Sequence, residues 1–349
     1  MSYTLEQLAN KIGATVNGDE THIVSSLATL ENATSTQVAF LSNSKYRQQL
    51  SHTNAGAVIL HQDAVVDCKT NALVINDPYL AYAKIAQLLN TTPAAAIGIH
   101  SSAIIAENTI IGKNVSIGAN AVIEDNVELA DNVTIGAGCF VGKSAKIGNA
   151  TQLWANVSIY HNVVIGDNCL IQANTVIGSD GFGYAPAPQD KTQFWHKIPQ
   201  LGSVIIGNNV EIGASTTIDR GALDNTEIHD GVILDNQIQI AHNVIVGKNT
   251  AMAACSVIAG SSVIGKHCII AGLVGINGHI NVADGCTFTG MAMVTKDIKD
   301  AGVYSSGTPV VSNREWNKTN ARVKKLEGVF TRVKMLEKQL AELEKTKIK

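Results

Sequence analysis

The chain has 349 residues, of which 16% are charged, 45% hydrophobic and only 5% aromatic, with 30 glycines and a formal net charge of −3. That much hydrophobic content with so little net charge excludes intrinsic disorder, and the slightly acidic balance gives no footprint for nucleic acid. No apolar run approaches the roughly 18 residues of a membrane helix, and Met1-Ser2-Tyr3-Thr4-Leu5-Glu6-Gln7 has no basic segment leading into an apolar one, so neither a transmembrane segment nor a signal peptide is expected.

Residues 1–96 show no long-range period. Helical stretches (Thr4 to Ile12, Pro78 to Leu89) alternate with short apolar strands such as Ala55 to Leu60 and Ala72 to Ile75. This reads as a small α/β domain that covers one end of the neighbouring repeat region or carries a substrate.

Residues 97–305 are a repeat. From Ile99 every sixth residue is aliphatic for fourteen consecutive hexads, through Ile135, Ile159 and Ile177. The register resumes at Ile206, Ile212 and Ile218, slips by four, and runs on from Ile228 to Val294, giving twenty-nine hexads in all. Four places after each aliphatic residue (i) sits a small or β-branched one, as at Ala103, Thr109, Val115 and Ala121, and position i+1 is often Gly. A period of six fits no amphipathic helix, whereas the spacing of two between i+4 and the next i is that of a strand. Each hexad is therefore a short strand with two inward side chains, followed by a corner at which Gly or Asn supplies special backbone angles. Three sides per coil give 18 residues and nearly ten coils, a parallel β-helix on the order of 45 Å long. Small inward groups suit its narrow interior, which accounts for the aromatic shortage. Cys139, Cys169, Cys268 and Cys286 all fall at i+4, where a thiol serves as a small hydrophobe. The chain has no C-x-x-C pair, so neither metal nor redox use is expected.

Two features interrupt the repeat. Between Ile177 and Ile206 lie about 23 more residues than a hexad needs, a loop spanning about 179–203 that carries Phe182, Tyr184, Phe194 and Trp195. Its aromatics imply either ligand contact or packing on a neighbouring subunit. The slip between Asp219 and Glu227 reads as a corner bulge. Residues 306–349 then form a helical extension in which Leu326, Val329, Val333, Leu336, Leu340 and Leu343 fit heptad a and d positions. Residues 312–349 hold eleven Lys or Arg against five Glu, a surplus that fits either a solvated helix face or docking of an acidic partner. The fold class is thus mainly β, a β-helix with a small N-terminal α/β domain and a C-terminal α-helical extension.

Two of the ten histidines stand out. His242 is i+2 of one hexad and His279 is i+3 of another six hexads later, which puts both on the same side of the prism, about 10 Å apart along its axis. Asp235, at the adjoining corner, is placed to accept a hydrogen bond from His242 and raise its basicity. An outward histidine is ordinarily a solvated surface residue. What sets this segment apart is its run of Asp, Asn, Gln and His, where other coils offer Ser, Thr, Lys or Asn. A three-histidine zinc site fits poorly, because His229, His242, His267 and His279 contain no closely spaced pair.

The hexapeptide prism, the Leu234–Asn243 segment, Gly278-His279-Ile280 and the Gly178–Tyr184 loop together resemble the UDP-3-O-(3-hydroxyacyl)glucosamine N-acyltransferases of lipid A biosynthesis, over the whole chain. The resemblance implies a left-handed parallel β-helix, an exception to right-handed crossovers, and a cytoplasmic homotrimer of a Gram-negative bacterium with active sites between neighbouring prisms. His242 would be the general base, drawing a proton from the glucosamine 2-amine as it attacks the thioester of a 3-hydroxyacyl group on acyl carrier protein. Asp235 would orient His242, and the Gly260 N–H would receive the oxyanion. His279 would bind substrate phosphate or polarise the carbonyl. Phe40, Asn43 and Tyr46 would grip the nucleotide, Asn236 would contact substrate, and Met293 would line the acyl groove. The basic tail would dock the carrier protein, and neither metal nor organic cofactor is implied. With no Ser or Cys nucleophile in a strand-to-helix elbow, transfer would be direct. The alternatives are a hexapeptide O-acyltransferase such as the sister enzyme acting on UDP-N-acetylglucosamine, against which the leading domain argues, a coenzyme A-dependent acetyltransferase, and a non-catalytic β-helical scaffold.

Overall fold

Short strands, mostly of two residues, recur six residues apart from Gly98–Ile99 to Met293–Val294 except across the loop and the slip, with Val303–Tyr304 closing the series. The computed structural model describes residues 2–93 and 95–347, and divides the chain into two compact units at residues 94/95. In the second unit the short strands assemble into three parallel sheets of nine, eleven and ten strands. Neighbours within a sheet are 18 residues apart over most of the prism, as in Ser116↔Thr134 and Ile117↔Ile135. Three hexads therefore make one coil. The i residues point inward, with Ile135, Leu153, Ile171, Ile212 and Ile240 at most 1% exposed, each burial contributing about 1.5–3 kcal/mol. Cys139, Cys169, Cys268 and Cys286 are buried and unpaired, and burial pushes all four thiols above their ordinary range, so they act as inert packing groups.

The structure assigns the two corner residue types different tasks. Position i+3 takes positive φ along the prism, most often with Asn, as at Asn114 (56°), Asn132 (61°) and Asn174 (61°), since Asn tolerates the left-handed region best among non-glycine residues. Glycine at i+1 answers to close approach instead. A methyl on Gly148 would lie 2.5 Å from the carbonyl carbon of Gly166 on the next coil. Inward hydroxyls are satisfied by the coil stacking: Thr151 Oγ1 donates to the Gly166 carbonyl at 2.8 Å and accepts from Cys169 N at 3.0 Å. Along one edge, side chains at i+2 staple corner to corner. Asn149, Asp167, Asn208 and Asp230 each accept from the backbone N–H of the corner one coil earlier.

The loop leaves the prism after Val176–Ser179, forms a hairpin of Tyr184–Pro186 and Trp195–Lys197, and returns at Val204–Ile206. The slip is indeed a corner bulge, between Thr217–Asp219 and Thr226–Ile228. It is stapled to the loop's return by Leu201 N to Ala222 O and Gly202 N to Gly221 O.

The first unit is a five-stranded sheet in the order Thr15–Asn17, Asn71–Val74, Ala57–Leu60, Gln37–Phe40, Ser26–Leu27, parallel except for the first pair. Helix Leu5–Ile12 opens with a Thr4/Gln7 capping box and ends on Gly13 at φ 75°. Asp77 caps helix Pro78–Leu88. The tail folds as helices Asn313–Val323 and Leu326–Lys347, and its six heptad side chains are all exposed. No described helix is long and apolar enough to cross a membrane.

Candidate active site

Strand Gln239–Ile240 belongs to the ten-stranded sheet, and the corner after it carries His242. The next two coils place Gly260 and then His279 at the same corner. Backbone hydrogen bonds tie the column together, from Ser261 N to His242 O at 2.9 Å and from His279 N to Gly260 O at 3.0 Å. The hexad arithmetic thus holds for the two histidines. His242 is half-buried, and His279 is exposed with φ 59°.

Two glycines flank the His242 imidazole. A methyl on Gly260 would lie 2.6 Å from Nε2 and 2.7 Å from Cε1. A methyl on Gly181, in the inserted loop, would lie 2.8 Å from Cβ and 3.1 Å from Cδ2. The loop root therefore packs on the ring, and Gln200, 6% exposed, backs both Gly181 and Gly183. Where other corners present Asp or Asn at i+2, that side chain caps an N–H of the preceding coil. Here Gly278 stands 18 residues after Gly260 and has no side chain to do so. Among the described residues the Gly260 N–H meets no protein acceptor, so a hydrogen-bond donor stays open beside the ring.

Asp235 and Asn236 occupy a different corner. Asp235 accepts from Asn236 N at 2.7 Å and from Ala254 N at 3.1 Å, and Asn236 Oδ1 accepts from Ala214 N at 2.7 Å. Both staple coils at the corner before strand Gln239–Ile240, whereas His242 turns the corner after it. One hexad step moves to the next corner of the triangle, so within the chain Asp235 makes no hydrogen bond to the imidazole. Instead His242 Nδ1 meets Asn243 Oδ1 at 3.2 Å. The carboxylate whose charge reaches His242 is Asp219, one coil earlier on the same sheet, where Thr217↔Gln239 and Ile218↔Ile240 are paired. Ser179 Oγ and Gln239 Nε2 donate to it at 2.9 and 3.0 Å. Burial pushes the Asp219 carboxyl above its usual range, with these bonds and the His242 charge drawing it back. Beside it Arg220, only 2% exposed, donates through Nη2 to the His161 carbonyl at 2.6 Å and through Nη1 to His161 Nε2.

Asn243, Asp219 and Gly181 escaped the sequence reading. Asn243 looks like any corner Asn at i+3, and Asp219 and Gly181 belong to the two irregular segments, where the period says nothing. Met293 lies on the ten-stranded sheet three coils beyond Gln239, 67% exposed, with Val257 outward between them. No group of three potential metal ligands occurs among the described residues.

In the first unit, Phe40, Asn43 and Tyr46 converge on a cavity of about 420 Å³, with Leu30 and Tyr79 in its wall. One face of Phe40 stacks on Tyr82, with ring centroids 4.0 Å apart and 15° between planes. Asn43 Oδ1 caps the following helical turn by accepting from Lys45 N at 3.0 Å.

Residues 21–88 match the family model of UDP-3-O-(3-hydroxymyristoyl) glucosamine N-acyltransferase, and residues 99–143 and 144–179 match the bacterial transferase hexapeptide model. A UDP-3-O-acylglucosamine N-acyltransferase of Colwellia psychrerythraea is 65% identical, covering 98% of this chain and 99% of its own. Enzymes of the same name from Shewanella denitrificans and Pseudoalteromonas translucida are 50% and 54% identical, covering 97% and 96% of this chain and 98% of each of theirs. Among solved structures, an Arabidopsis UDP-N-acetylglucosamine acyltransferase aligns with a TM-score of 0.53 at 22% identity, covering 67% of this chain and 82% of that one, a likeness of fold. With the hexapeptide prism and the His242 corner in place, these near full-length relatives show that the chain belongs to the UDP-3-O-acylglucosamine N-acyltransferase family.

Proposed function

We propose that this acyltransferase moves a 3-hydroxyacyl chain from acyl carrier protein to the 2-amine of UDP-3-O-acylglucosamine, in the cytoplasm and as a homotrimer. The observation that carries the reading is Gly260 packed against His242 Nε2 with an N–H that meets no protein acceptor among the described residues. A base and an oxyanion donor at one point are what acyl transfer to an amine requires. His242 Nε2 takes a proton from the amine nitrogen while that nitrogen bonds to the thioester carbonyl carbon. The oxygen gains negative charge and is received by the Gly260 N–H. As the carbonyl re-forms, the carbon–sulfur bond breaks, and the departing thiolate takes the proton from the imidazolium. An imidazole suits this task because its ordinary pKa lies near neutrality.

His279, exposed on the same column, binds substrate phosphate or polarises the carbonyl. Val257 and Met293 supply an apolar track for the acyl chain. Asp235 and Asn236 are kept as wall residues of the neighbouring corner, where the Asn236 amide nitrogen is left to meet substrate. The Phe40, Asn43 and Tyr46 cavity holds the uridine. The basic tail docks the acidic carrier protein.

The test is to incubate the protein with 3-hydroxyacyl carrier protein and either UDP-3-O-acylglucosamine or UDP-N-acetylglucosamine. Turnover of the first acceptor supports the reading. Turnover of only the second identifies an O-acyltransferase, and none with either leaves a scaffold.

A further inference from the structure

Asn243 makes four hydrogen bonds, and two of them fix which of its side-chain atoms faces His242. Its Oδ1 accepts from Ala222 N at 2.9 Å, and its Nδ2 donates to the Asp224 carbonyl at 3.0 Å. Its own N–H donates to Thr226 Oγ1 at 2.8 Å. Turning the amide over would set Nδ2 against the Ala222 N–H and Oδ1 against the Asp224 carbonyl, losing both bonds. The atom facing His242 Nδ1 is therefore an acceptor, and Nδ1 must carry the hydrogen. A neutral imidazole has one hydrogen only, so Nε2, the nitrogen beside Gly260, is left with its lone pair free.

Two of those bonds, to Ala222 and Asp224, come from the bulge that breaks the period, and the third, to Thr226, comes from the strand that follows it. Without the bulge the chain would run straight from one hexad to the next, and the two backbone groups that hold the Asn243 amide would not be there. Resting on the reading of His242 as the base, we propose that Asn243, locked by the 220–225 bulge, is the positioning residue that sets the reactive tautomer of His242, and that the bulge exists to lock it. A neutral amide gives the ring its direction, and the nearest carboxylate whose charge meets it is Asp219 on the coil before. The other ionisable groups around this corner are largely committed. Asp180 pairs with Lys197 and Arg220 with His161, while Asp224 meets Asn243 through its backbone carbonyl. His279 stands two coils on.

The experiment measures kcat and KM for the full-length enzyme with its acyl carrier protein donor and sugar-nucleotide acceptor, from about pH 5.5 to about pH 9, for Asn243→Ala and Asn243→Asp, with His242→Ala as reference. Asn243→Ala should lower kcat about 10²-fold or more and leave the acceptor KM within about twofold, since a mispositioned base costs turnover rather than binding. Asn243→Asp restores an acceptor for Nδ1–H, so it should recover at least about tenfold of that loss. Its carboxylate favours the imidazolium, so it should also move the acid limb of the kcat profile to higher pH. A kcat for Asn243→Ala within about threefold of wild type, or an Asn243→Asp profile with an unmoved acid limb, overturns the inference. If Asn243→Ala does not fold, the acid limb of Asn243→Asp decides alone. An inactive His242→Ala beside Asn243 variants that behave as wild type removes this inference only, whereas an active His242→Ala removes the base itself.

Discussion

Gly260 and His242 are packed so closely that one added methyl group would lie 2.6 Å from the imidazole Nε2. The glycine thus does two things at one place: it gives the ring room, and its N–H stays open beside the reacting nitrogen. Gly260→Ala keeps the N–H but pushes the ring aside. It should lower kcat by about 10²-fold with little change in the acceptor KM. Steady-state kinetics check this, alongside circular dichroism to show that the coils persist.

Gly181 touches the other side of the same ring from the inserted loop. Gly181→Ala places a methyl 2.8 Å from His242 Cβ and 3.1 Å from Gln200 Oε1, so the loop root must lift. The expected outcome is faster proteolytic nicking within 184–197 together with a fall in kcat of about tenfold. Unchanged nicking with normal turnover would show that the loop tolerates displacement.

Asp219 gives a pH dependence of known sign. Its carboxyl is raised in the folded chain, mainly by burial, so folding favours the protonated form. The stability it contributes is full below the ordinary carboxylate range and is lost as pH rises through its folded value. At pH 7 the charged side chain therefore costs stability, and Asp219→Asn should raise the melting temperature there, with the gain shrinking toward about pH 4. Gln239 can turn its amide to meet the new one. Calorimetry at the two pH values tests this.

Phe40 shares a wall with Asn43 and Tyr46 in the first unit, away from the His242 chemistry in sequence and in fold unit. Phe40→Ala should raise the acceptor KM by about tenfold, from lost stacking, and change kcat much less. An unaltered KM would remove that cavity from nucleotide binding.

Much of this is legible in the residue order, for a simple reason. A hexad is one side and one corner, so counting in sixes locates a residue on the prism as surely as an angle would. That is why His242 and His279 fall on one column, and why the four thiols fall inside. The same period separates Asp235 from His242 along the chain. Asp235 lies one hexad before His242, and one hexad is one corner away. Asn243, by contrast, sits at i+3 among many corner asparagines held there for their positive φ, and nothing local separates its role from theirs.

Residue order alone therefore sets the architecture, because a strict period dictates which side chains face a narrow interior and leaves one way to stack the coils. It also carries the family resemblance, through the run from Leu234 to Asn243 and the residues around His279. The surroundings of the base are settled only by tertiary contact. The inserted loop and the bulge have no period, and their residues find partners about 20 or more residues away through folding alone: the Ser179 hydroxyl on Asp219, Gly181 on His242, and the Ala222 N–H and Asp224 carbonyl on Asn243. Hydrogen-bond direction at one asparagine then fixes which nitrogen of His242 is free, and that is a property of three-dimensional contact.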